Sequence, residues 1–313
     1  MTYVRFLVRR LLQAIPVVIG VTLVVFLLIH LVPGDPARTA LGTHATPKAI
    51  ERLHHEWGLD RSLPDQYKLF MERLVSGDLG TSLRYGRSAG ALVIERLPVT
   101  IWLIVYSTVL TILIAVPLAL WAASRPGRLR DKFVRIVSVA GLGVPGFWLG
   151  LVLIEYLAVE AQILPAAGFG SGVAGHLESL LLPSLTIAAG IVPLVVRSLR
   201  AEILKVSESE YVTTARAKGL TERRIRLRHV LRNALAPSVT VLAVNVSFLV
   251  GGTLVIERVF SLGGVGDLML SAISARDFPV VQAVTLILAF LVVLVNIFGD
   301  LIQALLDPRG EAR

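Results

Sequence analysis

The chain has 313 residues, 55% of them hydrophobic and 17% charged, with a mean hydropathy of +0.74. Soluble globular domains carry about 25% charged residues, so this composition excludes an ordinary water-soluble protein and points to an integral membrane protein. The formal net charge of +9 reads either as a topology signal or as a nucleic-acid footprint, and the absence of cysteine removes disulfide scaffolds, thiol catalysis and Cys-ligated metal sites.

Runs free of Asp, Glu, Lys and Arg, and long enough to cross about 30 Å of hydrocarbon, predict six helical spans: 11–32, 99–123, 136–154, 179–196, 233–256 and 278–299. The first resembles the basic and apolar parts of a signal peptide. It is 22 residues long and no small-residue cleavage site follows, so it reads as an uncleaved signal anchor. Segment 33–98 balances nine basic residues with eight acidic ones and scatters Leu, Trp57 and Tyr67 among them, which predicts a small helical extracytoplasmic cap. A seventh uncharged run, 161–177, contains Pro165, Gly168, Gly170, Gly172 and Gly175. In lipid these would leave backbone groups unsatisfied, so the run reads as a loop.

Six spans put both termini on one side, and the basic residues say which. Of the 31 Lys and Arg, 20 fall before the first span, between spans two and three, between four and five, and after six. The short loops on the other face carry only Arg258 and Arg276. By the positive-inside bias the termini are cytoplasmic. Charge spread over four cytoplasmic segments argues against nucleic acid.

Motifs for chemistry are sparse. None of the five lysines is preceded by Gly and followed by Ser or Thr, so there is no P-loop. Residues 141–146 (GLGVPG) satisfy G-x-G-x-x-G but lie inside the third span, where close helix packing and a Pro145 kink explain them. His54, His55 and Glu56 suggest a zincin, yet Leu59 stands where the second ligand would be, and a polar cap cluster is the simpler reading. Residues 264–267 (GVGD) match an intramembrane aspartyl protease motif without a second aspartate at similar depth. An enzyme reading therefore lacks paired groups, and an uncoupled channel remains as another class.

The 36-residue loop 197–232 is the informative one. Residues 207–210 (SESE) have capping-box spacing, followed by a short helix with Tyr211, Val212 and Ala215 on one face. Gly219 ends that helix, Arg216 and Lys218 suit its negative end, and a second basic helix at about 222–233 leads into Pro237 and the fifth span.

Residues 210–220 (EYVTTARAKGL) and 228–237 (RHVLRNALAP) resemble the EAA loop of ABC importer permeases, and more narrowly the B-type subunits of dipeptide/oligopeptide (peptide/nickel) permeases. The likeness extends through 9–12 (RRLL), 31–36 (LVPGDP), 58–60 (GLD), 77–80 (GDLG), 145–150 (PGFWLG), 182–185 (LPSL), 276–279 (RDFP) and Asp307-Pro308. Only Ala215 and Gly219 of the general E-A-A-x3-G pattern are kept, with Thr213 and Thr214 at its first positions. Arg232 and Gly263 stand where relatives often have proline.

The resemblance implies an all-α polytopic protein of type I importer architecture, in a bacterial cytoplasmic membrane. It implies a cytoplasmic N-terminus and first span at 1–32, an extracytoplasmic segment at 33–98, a permease core at 99–307 with a coupling loop at 197–236, and a tail at 308–313. Peptides would cross by alternating access, with nickel complexes or glutathione as alternative cargo. The implied partners are a second homologous permease subunit forming a heterodimer, two ATP-binding subunits or one fused ATPase, and an extracytoplasmic substrate-binding protein. No cofactor is expected in this chain, since ATP and Mg would sit on the ATPase. Residues 208–219 would form the coupling helix, with Tyr211, Val212 and Ala215 giving apolar contact, Ala217 and Gly219 close approach, and Glu210, Arg216 and Lys218 polar contact. Polar groups within spans, Glu155, Asn245 and Asn296, are candidates to line the pore, and Asp300 lies near the cytoplasmic interface.

Overall fold

The computed structural model describes residues 3–31, 35–42 and 45–306, excepting the side chains of residues 3–7, 28, 29, 36, 39 and 40. Asp307-Pro308, the tail and part of the 31–36 motif lie outside the described residues.

Helix α1 (Tyr3–Leu31) is followed by three short helices, α2 (Pro36–Leu41), α3 (Pro47–Trp57) and α4 (Leu63–Val75). Each short helix starts as its sequence dictates. Asp35, Thr46 and Ser62 place side-chain oxygens on the free N–H groups of Ala37, Ala49 and Asp65, and a proline follows within the first two positions. The helical reading of 33–98 holds in these elements.

Long helices follow: α5 (Ala89–Ala123), α9 (Leu181–Ser207), α12 (Arg232–Val259) and α14 (Phe278–Leu306), with α6 (Leu129–Leu142), α7 (Gly146–Leu153), α8 (Gly172–Ser179), α10 (Glu210–Ala217), α11 (Glu222–Arg224) and α13 (Val265–Ala275) between them. Among the described residues, five helices are long and apolar enough to cross a membrane, or six if α6 and α7 count as one broken span. That pair bends by 98° at 143–145. Pro145 cannot donate to the preceding turn and holds an extended conformation (φ −61°, ψ 128°). The break at Pro145 is as expected, but the close packing expected of the 141–146 glycines is not found: Gly141 alone is half-buried, near Pro193, while Gly143 and Gly146 are exposed. Just beyond it Gly150 is needed for space, since a Cβ there would meet Phe260 at 3.1 Å and Thr186 at 3.4 Å. The 161–177 run is irregular up to Ser171, then contributes most of α8, a correction to an all-loop reading.

The chain divides into two compact units. In the unit of 101–262 and 294–313, α9 is central: 61% of its apolar window is buried, against 17–33% for the other candidate spans. Helices α6, α7 and α12 pack around it. In the unit of 4–100 and 263–293, the core joins Leu92 and Val93 to Val265, Leu268, Ala272, Val280 and Val284. Several hydroxyls within the spans turn back on their own helices. Ser107, Thr108 and Thr111 donate to the carbonyls of Leu103, Ile104 and Ser107, which offsets the cost of placing a hydroxyl in apolar surroundings.

Candidate functional site

The loop after α9 is more tightly built than its sequence suggests. Helix α9 runs to Ser207, whose hydroxyl donates to Ile203 O at 2.6 Å. Ser209, two residues on, occupies the N-cap of α10 and its hydroxyl donates to Val206 O at 2.6 Å. The capping-box pairing of Ser207 with Glu210 is therefore not formed, because Ser207 is spent as the last residue of the preceding helix. The far end agrees with expectation. Gly219 has φ +76°, Gly219 N–H donates to Arg216 O at 2.9 Å, and Leu220 N–H donates to Ala215 O at 3.2 Å.

Two of the three apolar residues of α10 expected to meet a partner turn inward instead. Val212 is fully buried and Ala215 is 7% exposed, so both are anchors within this chain rather than contact surface. Tyr211 alone of the apolar trio stays exposed. Its hydroxyl accepts from Asn233 Nδ2 at 3.1 Å and lies 3.5 Å from His229 O. Glu210, Arg216, Ala217, Lys218 and Gly219 are exposed, and Arg216 Nε donates to Glu222 at 2.8 Å across the turn.

From Glu222 to Val259 the backbone is one continuous helix of 38 residues, so the second basic helix does run unbroken into a span. Its start is unusual. After α11, residues Ile225–Leu231 form a π-helix, with Ile225 and Val230 buried. Such widened turns concentrate at functional positions, where the extra residue per turn shifts the helix face presented by the residues after it. A second π segment, Ile154–Glu160, carries Glu155.

Sequence reasoning missed the ionic tie behind this loop. Arg200, one of the basic residues that mark the cytoplasmic side in the sequence, grips Asp131 with two hydrogen bonds, Nε at 2.5 Å and Nη2 at 2.7 Å. Asp131 is 1% exposed and also accepts the Gly127 N–H at 2.8 Å. The pair locks the start of α6 to α9, about two turns before α9 ends at Ser207. A signal was present: Asp131 is the only acidic residue among five basic ones in 125–135.

The pore candidates are dispersed in role. Glu155 is exposed, Asn245 Nδ2 donates to Val241 O at 2.7 Å within its own helix, and Asn296 lies half-buried in α14. His54 and His55 serve different aspartates. His54 Nε2 donates to Asp35 at 2.8 Å and His55 Nδ1 to Asp60 at 3.3 Å. At Asp35, partial burial raises the pKa, but the hydrogen bonds from His54 and Ala37 outweigh it and hold the carboxyl below its ordinary value. At Asp60 the His55 hydrogen bond does the same.

Residues 115–311 match the family described as binding-protein-dependent transport system inner membrane component, and residues 3–104 match its N-terminal component. The chain belongs to this family. It is the permease component of a binding-protein-dependent ABC importer. This permease is similar over its length to the glutathione transport system permease protein GsiC of Pectobacterium atrosepticum, with 36% identity over 303 residues and 97% of each chain covered. It is also similar to the oligopeptide transport system permease protein AppB of Bacillus subtilis, with 34% identity and 98% of this chain and 99% of the relative covered. Among solved structures its fold resembles a chain of the inward-facing MetNI methionine ABC transporter, with TM-score 0.55 and 20% identity, over 69% of this permease and 96% of that chain.

Proposed function

We propose that this permease imports short peptides across a bacterial cytoplasmic membrane by alternating access. The observation that carries the reading is the mechanical link: α10 is anchored through Val212 and Ala215 and joined by one turn to a helix that continues through a span to Val259. A peptide's ends and amides lose hydration in lipid at several kcal/mol per unsatisfied group, so the cargo needs a wet path that opens to one side at a time. A force applied to α10 reaches the span through the single short turn at 218–221.

In this reading the broken pair α6–α7 is one of six spans and both termini are cytoplasmic, in line with the distribution of basic residues. The exposed residues Glu210, Tyr211, Arg216, Ala217, Lys218 and Gly219 meet the ATPase, while Val212 and Ala215 hold the helix to the permease. The hydrolytic engine is a separate ATP-binding subunit carrying Mg and ATP, a second homologous permease completes the path, and an extracytoplasmic binding protein delivers cargo. Glu155, Asn245 and Asn296 line the path.

Glutathione, itself a small peptide, is the second reading, supported by the GsiC relatives. Reconstitution with the neighbouring ATPase and permease subunits and the cognate binding protein tests both. ATP-driven uptake of labelled oligopeptide supports the main reading, and uptake of glutathione alone supports the second. Transport that continues without ATP would sink coupling altogether.

A further inference from the structure

Residues 81–88 form a tight excursion that the transport reading does not use. Thr81 and Ser88 pair as an antiparallel bridge, Ser82 N–H donates to Arg87 O at 2.9 Å, and Gly86 N–H donates to Ser82 O at 3.0 Å. The excursion is pinned from a distant part of the sequence by Asp277, which is 2% exposed. One oxygen of Asp277 accepts from the Ser82 hydroxyl and from Arg84 N–H at 3.4 Å, and the Ser82 oxygen accepts Tyr85 N–H at 3.0 Å. The other oxygen, Oδ1, is buried without a hydrogen-bond partner. Next to it Gly80 (φ +83°) lies so close to Pro279 that a Cβ would stand 3.2 Å from the ring. Two conspicuous sequence motifs, 77–80 and 276–279, thus meet in one assembly.

A buried carboxylate with an unsatisfied oxygen is unfavourable, and what it holds in place is a surface. Leu83 is 41% and Tyr85 37% exposed, and the Arg84 guanidinium lies 5.5 Å from the Tyr85 ring centre. Arg276 is also exposed and takes a left-handed backbone (φ +55°) that a non-glycine residue adopts at some cost. Arg87 is neutralised by Glu95 at 3.0 Å, whereas neither Arg84 nor Arg276 has an ion pair among the described residues. Tyrosine and arginine dominate interface hot spots, and a tip already rigid loses little entropy on docking.

We propose that the pinned tip 81–87, with Arg276, is a docking site for the soluble binding protein, which meets the two free guanidiniums with carboxylates. The proposal rests on the proposed topology, in which 33–98 and the connection between spans five and six lie outside the cytoplasm. Charge complementarity is what selects the partner: a solvated, rigid, cationic and aromatic tip suits an acidic protein face more than a second apolar helix.

The chain has no cysteine, so Leu83→Cys provides a single label in intact cells. Reaction with a membrane-impermeant maleimide supports the topology; reaction only after permeabilisation overturns the topology and the docking site together. The assembled permease–ATPase complex in phosphatidylcholine nanodiscs is then titrated with the cognate binding protein. Arg84→Glu is expected to weaken docking by about tenfold or more and to flatten its salt dependence. The same charge change at exposed Arg52, Arg52→Glu, serves as the control and should stay within about twofold. Equal affinities for Arg84→Glu and the parent, with external labelling intact, overturn the docking site alone. An effect of Arg84→Glu that appears only in discs containing phosphatidylglycerol assigns the tip to lipid headgroups and also overturns it. Asp277→Asn should speed amide exchange at 82–87 and weaken docking in parallel; faster exchange without weaker docking counts against the proposal.

Discussion

Helix α10 and the 81–88 tip are two short segments that each present an exposed tyrosine, Tyr211 and Tyr85, yet they are held by opposite means. Helix α10 rests on two small apolar side chains, Val212 and Ala215, while the tip is tied by directional hydrogen bonds to a buried carboxylate, Asp277. Apolar contacts are non-directional and tolerate small displacements, whereas hydrogen bonds weaken steeply with angle. A segment that must transmit motion is suited by the first kind of attachment, and one that must keep a shape by the second. The unit that holds α10 contains both kinds of attachment, the directional Asp131–Arg200 tie between α6 and α9 and the apolar seat of Val212 and Ala215.

The contrast ranks the expected effects of mutation. The largest belongs to Asp131→Ala, which leaves the half-buried Arg200 without its partner. A loss of about 3–5 kcal/mol is expected, read as a fall in thermal midpoint in detergent, and the double variant Asp131→Leu/Arg200→Met should recover much of it. Asp277→Ala comes next, removing the acceptor for Ser82 and Arg84 at about 1–3 kcal/mol. Its signature is fast hydrogen exchange confined to 82–87, and a global loss of protection instead would erase the contrast with α10.

Val212→Ala removes two buried methyl groups' worth of contact and should cost about 1.5 kcal/mol. It should uncouple ATP hydrolysis from uptake before it unfolds the protein, so parallel loss of both would argue against an anchoring role. Gly219→Ala is a purely conformational change, because no atom lies within 4 Å of the added Cβ, and about 1 kcal/mol is expected from its positive φ. Gly219→Asn should cost less, since asparagine tolerates that region; uptake assays on both variants separate backbone strain from close approach to a partner.

The smallest effect is a pH dependence at Asp35. Its folded pKa is depressed, so its contribution is fully present above the unfolded value of about 3.9 and fades as pH falls through the lower folded value. With the Asp35 side chain 30% exposed, Asp35→Asn should change stability at neutral pH by less than about 1 kcal/mol, and the difference from the parent should vanish once pH falls below the lowered folded value.

Much of the architecture was legible in the sequence. Uncharged runs, basic loops, the glycine stop at Gly219 and the continuity from Glu222 into a span are local properties, and hydrophobic length and backbone preference act over a few turns. The inward turn of Val212 and Ala215 was not legible, because Tyr211, Val212 and Ala215 share a face by spacing and only packing decides which of them is covered. The partners of Asp131 and Asp277 lay beyond reach for a related reason. They are 69 and 195 residues away in sequence, and no periodicity encodes which arginine or serine a carboxylate will find. Composition and local pattern determined that the chain is built of membrane-spanning helices with a basic loop before the fifth predicted span. Tertiary structure decided which side chains anchor, which stay exposed, and where directional bonds hold the backbone still, since those outcomes depend on long-range burial.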